Sequence, residues 1–166
     1  MKTIIYSIIL LLSFSGFSQE LFLYDFDQNL SMNVPEDSGE YEMSGQTFIK
    51  GSIGDGTFVI SKTNKGHEKL SLDGKSDLSR FFQGIKDGII KASKGKILKD
   101  ATTEIDNEKV LNFSYSMEID GQQKIVDSYI FIWKKFTYTI QFVSSEIESE
   151  NFKATKKQIL DSIDLK

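Results

Sequence analysis

The stretch from Leu111 to Phe142 constrains the fold more than any other part of this chain. Leu111, Phe113, Tyr115, Met117 and Ile119 alternate with Asn112, Ser114, Ser116 and Glu118. A period of two is the signature of an extended strand, in which successive side chains point to opposite faces. Asp120-Gly121 follows, a residue pair suited to a tight hairpin turn. The return segment, 125–133, places Tyr129, Phe131 and Trp133 on one face and Val126, Ile130 and Ile132 on the other. A strand apolar on both sides has to be covered on both sides, so this one is expected inside a sheet. Lys134-Lys135 makes the next turn, after which Phe136, Tyr138, Ile140 and Phe142 alternate with Thr137, Thr139 and Gln141. The prediction is an antiparallel meander with a central strand.

The flanking segments supply the rest of a layered domain. Leu30, Met32 and Val34 alternate into a short strand closed by Pro35 and the polar run Glu36-Asp37-Ser38-Gly39. Segments 46–50 and 57–61 read as two more strands, with glycines 51, 54 and 56 between them providing the positive φ angles of a hairpin. Residues 62–75 are polar and read as a loop. Leu78, Phe81, Phe82, Ile85, Ile89 and Ile90 then recur at helical spacing, predicting a helix over 77–92 with Ser76 as its N-cap. Gly84 and Gly88 weaken that helix, and the expected return is close approach to a sheet. Gly95 is the expected stop, beyond the basic Lys91 and Lys94. A weaker strand is expected over 97–105. Phe152, Ile159, Leu160 and Ile163 form the stripe of a C-terminal helix, with Lys153, Lys156 and Lys157 on its outer face. The fold class is α+β, an antiparallel sheet meander flanked by helices.

The first eighteen residues differ in kind from the rest. Lys2 precedes the apolar run Ile4 to Phe14, and Gly16-Phe17-Ser18 ends it with small residues two apart. This pattern predicts a secretory signal peptide over 1–18, cleaved before Gln19, leaving a single domain over 19–166. The run is shorter than the roughly 20 residues of a membrane span. The expected compartment is the bacterial periplasm or the medium, with no transmembrane anchor after cleavage. The net charge of −4 becomes more negative once Lys2 is removed, which disfavours a nucleic-acid partner. With no cysteine, there is neither a thiol nucleophile nor a lipid-bearing cysteine, and stability rests on burial and hydrogen bonds.

No catalytic constellation stands out. Asp25, Asp27 and Asn29 with Glu36 copy the ligand spacing of an EF-hand loop, but Leu30 stands where that loop turns on glycine. A polar lead-in to a strand is the plainer reading. His67 is the single histidine and lies in a lysine-rich stretch, read as a solvated loop. Asn29-Leu30-Ser31 and Asn112-Phe113-Ser114 match the glycosylation sequon, a pattern common by chance. The expectation is therefore no enzyme, no catalytic residue, no metal and no cofactor. The aromatic residues of the meander read first as core. Their functional reading is an apolar cleft between sheet and helix, with Tyr115, Tyr129, Trp133 and Tyr138 as ligand-cleft candidates.

The whole pattern resembles the PsbP-like fold family, which includes DcrB-like envelope proteins. The resemblance rests on Asp25-Phe26-Asp27-Gln28-Asn29-Leu30-Ser31-Met32-Asn33-Val34-Pro35 as an opening strand and on the amphipathic helix before the meander. It also rests on Phe136-Thr137-Tyr138-Thr139-Ile140-Gln141-Phe142 followed by a Phe152 helix closing on Ile159-Leu160-Asp161-Ser162-Ile163. It spans most of 24–164. It implies an α/β/α sandwich and a non-enzymatic accessory role through contacts with another envelope or secreted protein. A small-molecule or lipid carrier using the sheet–helix cleft is the alternative. Glu36-Asp37 stands where the family often has an aromatic, and no family site residue carries over. The mass and N-terminal sequence of the exported protein are expected to begin at Gln19; a chain that still carries Ile4 to Phe14 would contradict the signal peptide.

Overall fold

Residues 19–43, 46–64 and 75–166 are described by the computed structural model. His67, most of the expected loop over 62–75 and the N-terminal segment 1–18 lie outside them. The elements run β1 (Leu21–Asp27), β2 (Leu30–Pro35), β3 (Gly39–Met43), β4 (Gln46–Ile53), β5 (Gly56–Thr63), α1 (Lys75–Ser93), β6 (Lys96–Ile105), β7 (Glu108–Ile119), β8 (Gln122–Trp133), β9 (Phe136–Ser144), α2 (Glu150–Asp161) and β10 (Asp164–Leu165). Seven strands form an antiparallel sheet in the order β3-β4-β5-β9-β8-β7-β6, and a small second sheet has the order β1-β2-β10. The α+β class and the antiparallel meander are as the sequence predicts.

Turn chemistry sets the register of the meander. Asp120 and Gly121 have φ of 52° and 75°, and Asp106 and Asn107 have 50° and 65°. Two successive left-handed residues make the tight turn whose twist matches paired strands. Leu111 thereby faces Ile130, Tyr115 faces Val126, and Phe131 faces Tyr138 across neighbouring strands.

The period of two then sorts the side chains into two cores. Phe58, Ile60, Phe131, Tyr138, Ile140 and Phe142 lie on one face, packed against Leu30, Met32 and Val34 of the small sheet and Phe152 and Ile159 of α2. Leu111, Phe113, Tyr115, Val126 and Ile130 lie on the other, under Phe82 and the half-buried Phe81, Ile85 and Ile89 of α1. The domain is three layers: α1, the seven-stranded sheet, then α2 with the small sheet. The sandwich implied by the family resemblance thus has a mixed third layer. As expected, β8 is interior and apolar on both faces. On the polar side of β7, Asn112 is buried against the third layer, while Glu118 is exposed.

Several local expectations change. β1 and β3 are strands that the pattern did not show. α1 begins at Lys75, so Ser76 lies inside its first turn. At the far end of α1 the left-handed position is taken by Lys94 (φ 52°), while the Gly95 N–H closes the helix on the Ile90 carbonyl at 3.2 Å. Gly95 is needed because a Cβ there would crowd the Tyr115 ring and the Ser116 carbonyl. Of the glycines at the β4–β5 hairpin only Gly54 has a positive φ, at 56°. A Cβ on Gly56 would overlap the Phe152 ring and the Val143 carbonyl, so this glycine lets α2 dock. Gly84 and Gly88 make no close approach: both are exposed and a Cβ on either would meet nothing within 4 Å.

Opposite signs follow for glycine replacements. Gly84→Ala and Gly88→Ala are each expected to raise stability by up to ~1 kcal/mol, since helix propensity improves and nothing is displaced. Gly56→Ala is expected to lower it by about 1–3 kcal/mol through overpacking. Urea unfolding of the three variants checks the contrast; destabilisation by the α1 replacements would refute it.

Candidate functional site

Two largely enclosed carboxylates, Asp27 and Asp127, with side chains 10% and 13% exposed, organise the polar chemistry of the third layer. The first is Asp27, at the end of β1. Its Oδ1 accepts from the backbone N–H groups of Asn29 (2.6 Å) and Leu30 (3.0 Å), closing the β1–β2 turn. Its Oδ2 accepts from Lys62 Nζ at 3.0 Å and from the Tyr138 hydroxyl at 2.8 Å. Lys62 also sits over the Phe26 and Phe136 rings, 5.6 and 5.1 Å from their centroids. Burial pushes the Asp27 carboxyl up, but the Lys62 ammonium, the Asn29 N–H and the Tyr138 hydroxyl outweigh it, and the group lies below its usual value. Burial and then Asp27 itself drive the Tyr138 phenol well above its usual value. The EF-hand spacing is thus dissolved into a hairpin: Asp27 holds Lys62, and Asp25 pairs with Lys166.

The second is Asp127, the one charge in segment 125–133. Its Oδ1 accepts from Asn112 Nδ2 and Ser114 Oγ, each at 3.0 Å, and its Oδ2 from the Tyr129 hydroxyl at 3.0 Å. Lys156 of α2 reaches the same oxygen at 3.4 Å and Glu148 at 2.6 Å. Lys156 is therefore turned inward, not outward as its place on the helix suggested. Burial first, then the Asp127 charge, raises the Tyr129 phenol far above its usual value. The sequence did carry a signal for this cluster: a carboxylate in a strand buried on both faces requires a partner from another layer. Asn29 and Asn112 are both buried, which leaves neither sequon open to a glycan.

These networks commit their polar atoms to each other and fix where α2 lies. The accessible surface beside them is at the C-terminal turn of α2. One open cleft of about 710 Å³ is lined by Gln19, Glu20, Leu21, Asn33, Gln158, Asp161 and Ser162. A second, of about 530 Å³, runs between that turn and the β6–β7 hairpin, with Ile105, Tyr129, Leu160 and Ile163 as its apolar lining and Glu104, Asp106 and Asp161 as its acidic one. Asp161 borders both. The Ser162 hydroxyl ties the turn down, donating to the Ile159 carbonyl at 2.7 Å and accepting from the Asn33 N–H at 2.8 Å.

The four aromatic candidates do not share one cleft. Tyr115 packs under α1, buried, with its hydroxyl 3.4 Å from Gln141 Nε2. Tyr129, Trp133 and Tyr138 lie on the opposite face. Tyr138 is wholly buried, and Trp133 donates from Nε1 to the Lys166 carbonyl at 3.1 Å. Of the four, Tyr129 borders one of the two clefts beside Asp161, and the other three border neither. Among the described residues no group of three His, Cys, Asp or Glu is placed to hold a metal ion, and no helix is long and apolar enough to cross a membrane.

Asp27→Asn is expected to cost about 2 kcal/mol near neutral pH, because the charge that holds Lys62 is lost while Tyr138 stays buried. The depressed native value also fixes a sign. The Asp27 contribution is complete above the unfolded carboxyl value, about 3.9, and is lost as pH falls through the lower folded one. The variant's stability should therefore vary less with pH below about 4 than the parent's. Denaturant titrations across pH 2–7 (a range spanning roughly both carboxyl values) check this; parallel curves would refute it.

No protein-family model matches the chain, and no curated protein matches it. Solved structures do. The cyanobacterial PsbP (CyanoP) of Synechocystis sp. PCC 6803 superposes with a TM-score of 0.61 at 11% identity, over 92% of this chain and 96% of that one. LpqN of Mycobacterium tuberculosis, described as involved in cell envelope biogenesis, gives 0.54 at 14% identity, over 87% and 89%. A Bacteroides thetaiotaomicron protein gives 0.55 at 16% identity over 90% of this chain, which spans about half of that longer one, 49%. With its two helices packed about an antiparallel sheet and its match to CyanoP over nearly the whole of both chains, this protein has the PsbP-like fold.

Proposed function

We propose that this is an exported, non-enzymatic binding protein that contacts another envelope or secreted protein through the surface around the C-terminal turn of α2. The observation that carries the reading is the pair of clefts sharing Asp161. Both open to solvent, the first more than the second, and mix polar with apolar groups, which suits a protein surface better than the enclosed, mostly apolar pockets that hold small molecules. The turn between them is held by Ser162 and by the buried Phe152 and Ile159, so the surface is preformed. The signal-like leader and the envelope role of LpqN, whose fold is similar, agree with this reading. The polar networks support the absence of catalysis, since Asp27 and Asp127 serve to hold layers together.

The test is a crosslinking pull-down from the envelope and medium of the source organism with tagged residues 19–166, beside Gln158→Arg and Asp161→Arg. Both replacements are at exposed positions, and the Lys157–Asp161 pair is exposed as well, so stability should change by no more than about 0.5 kcal/mol. One stoichiometric partner, retained by the parent and lost by the variants, is the expected outcome. A partner kept by both variants would move the site elsewhere. A co-purifying small molecule in native mass spectrometry, with no protein partner, would favour the carrier reading and the apolar lining of the cleft at Tyr129.

A further inference from the structure

The two edges of the large sheet are unlike. β3 at one edge has five residues and presents Glu40 and Glu42. A short strand with like charges is a poor template for pairing. β6 at the other edge has ten residues and, among the described residues, bonds only to β7. Eight of the ten are exposed, the exceptions being Ala101 and Ile105. Its pairing with β7 shifts between Ile97 and Lys99 and then runs without a break from Lys99 to Ile105. A regular edge of this length offers a row of unpaired N–H and C=O groups.

The charges along this edge are segregated. Lys94, Lys96 and Lys99 stand at its beginning, and Glu104, Asp106 and Glu108 at and just past its end. None of the six has an ion-pair partner among the described residues; Asp100, between them, is paired with Lys86 of α1. Ile97 and Leu98, at the basic end, are 40% and 53% exposed. An antiparallel neighbour identical to β6 would set the basic end of each strand against the acidic end of the other, twice over. It would also cover Ile97 and Leu98.

We propose that β6 pairs with β6 of a second copy of this chain, antiparallel across a two-fold axis, joining the two large sheets at their edges. Pairing by a two-fold axis closes at two copies, whereas β6 of one copy on β3 of the next would grow into an open chain. The axis stands perpendicular to the sheet, so α1 of both copies lies on one side and α2 of both on the other. Glu104 and Asp106, at the acidic end of this edge, also line the second cleft beside Asp161, whereas Lys94, Lys96 and Lys99 line neither cleft, so replacements at the basic end separate this interface from the Asp161 surface.

Charge exchange tests it. One variant carries Lys94→Glu, Lys96→Glu and Lys99→Glu; the other carries Glu104→Lys, Asp106→Lys and Glu108→Lys. Sedimentation of residues 19–166 across micromolar concentrations should show a dimer for the parent and association weakened by about tenfold or more for each variant alone. An equimolar mixture of the two should recover the dimer, since one edge is then acidic throughout and the other basic. Recovery also shows that both variants fold. Amide exchange on the parent gives an independent reading: half of the amides over 99–105 face outward and should slow as concentration rises. A parent that stays monomeric would overturn the proposal. So would a dimer that both variants retain, growth past two copies, or exchange over 99–105 that does not change with concentration.

Discussion

A strand that is apolar on both faces has to be covered twice, and that requirement at β8 governs the rest of this molecule. Val126 and Ile130 point one way, and Phe131 points the other. One cover is α1, laid over β7 and β8 with Phe82 as its buried apolar contact. The other is composite: α2 supplies Phe152 and Ile159, and the small sheet supplies Leu30, Met32 and Val34. In the small sheet, β1 and β2 from one end of the chain pair with β10 from the other.

Apolar contact is not directional, so it cannot by itself say where α2 and the small sheet should sit. Two carboxylates do. Asp127 stands in an otherwise apolar strand and is satisfied only when Asn112, Ser114, Tyr129 and Lys156 meet around it. Asp27 is satisfied only when β1 lies over Lys62 and Tyr138. A misplaced layer would leave a buried charge unpaired, at a cost of several kcal/mol. The surface proposed for binding, at the end of α2, inherits its shape from this arrangement.

The legibility of the fold was uneven. The meander was readable because alternation, Asp120-Gly121 and Lys134-Lys135 are local signals. α1 was readable from its stripe, apart from its start, which lies at Lys75 and not at Asp77 behind a Ser76 cap. β1 was not, since Leu21-Phe22-Leu23-Tyr24 is an unbroken apolar run with no period. β3 was hidden by Glu40 and Glu42. Gly95 stops α1 where the sequence places the stop, but that it must be glycine, like Gly56, is decided by the neighbours Tyr115 and Phe152, while Gly84 and Gly88 face solvent. The aromatic candidates were identified by type, but the pleat separates Tyr115 from Tyr129, Trp133 and Tyr138. Asp161, which borders both clefts, had no signal at all, because an exposed carboxylate near a helix end looks like any other.

The sequence by itself determined the strands of the meander, the two helices and which residues share a face. These depend on backbone periodicity and turn stereochemistry, which act over a few residues. The tertiary structure alone decided that Lys156 turns inward, that Asp27 and Asp127 become the fixed points of the third layer, and that two clefts open beside Asp161. Those outcomes depend on which groups meet across 35 residues for Asp27 and Lys62 and 29 for Asp127 and Lys156. No local period encodes such meetings, because the partners are chosen by the packing of whole layers.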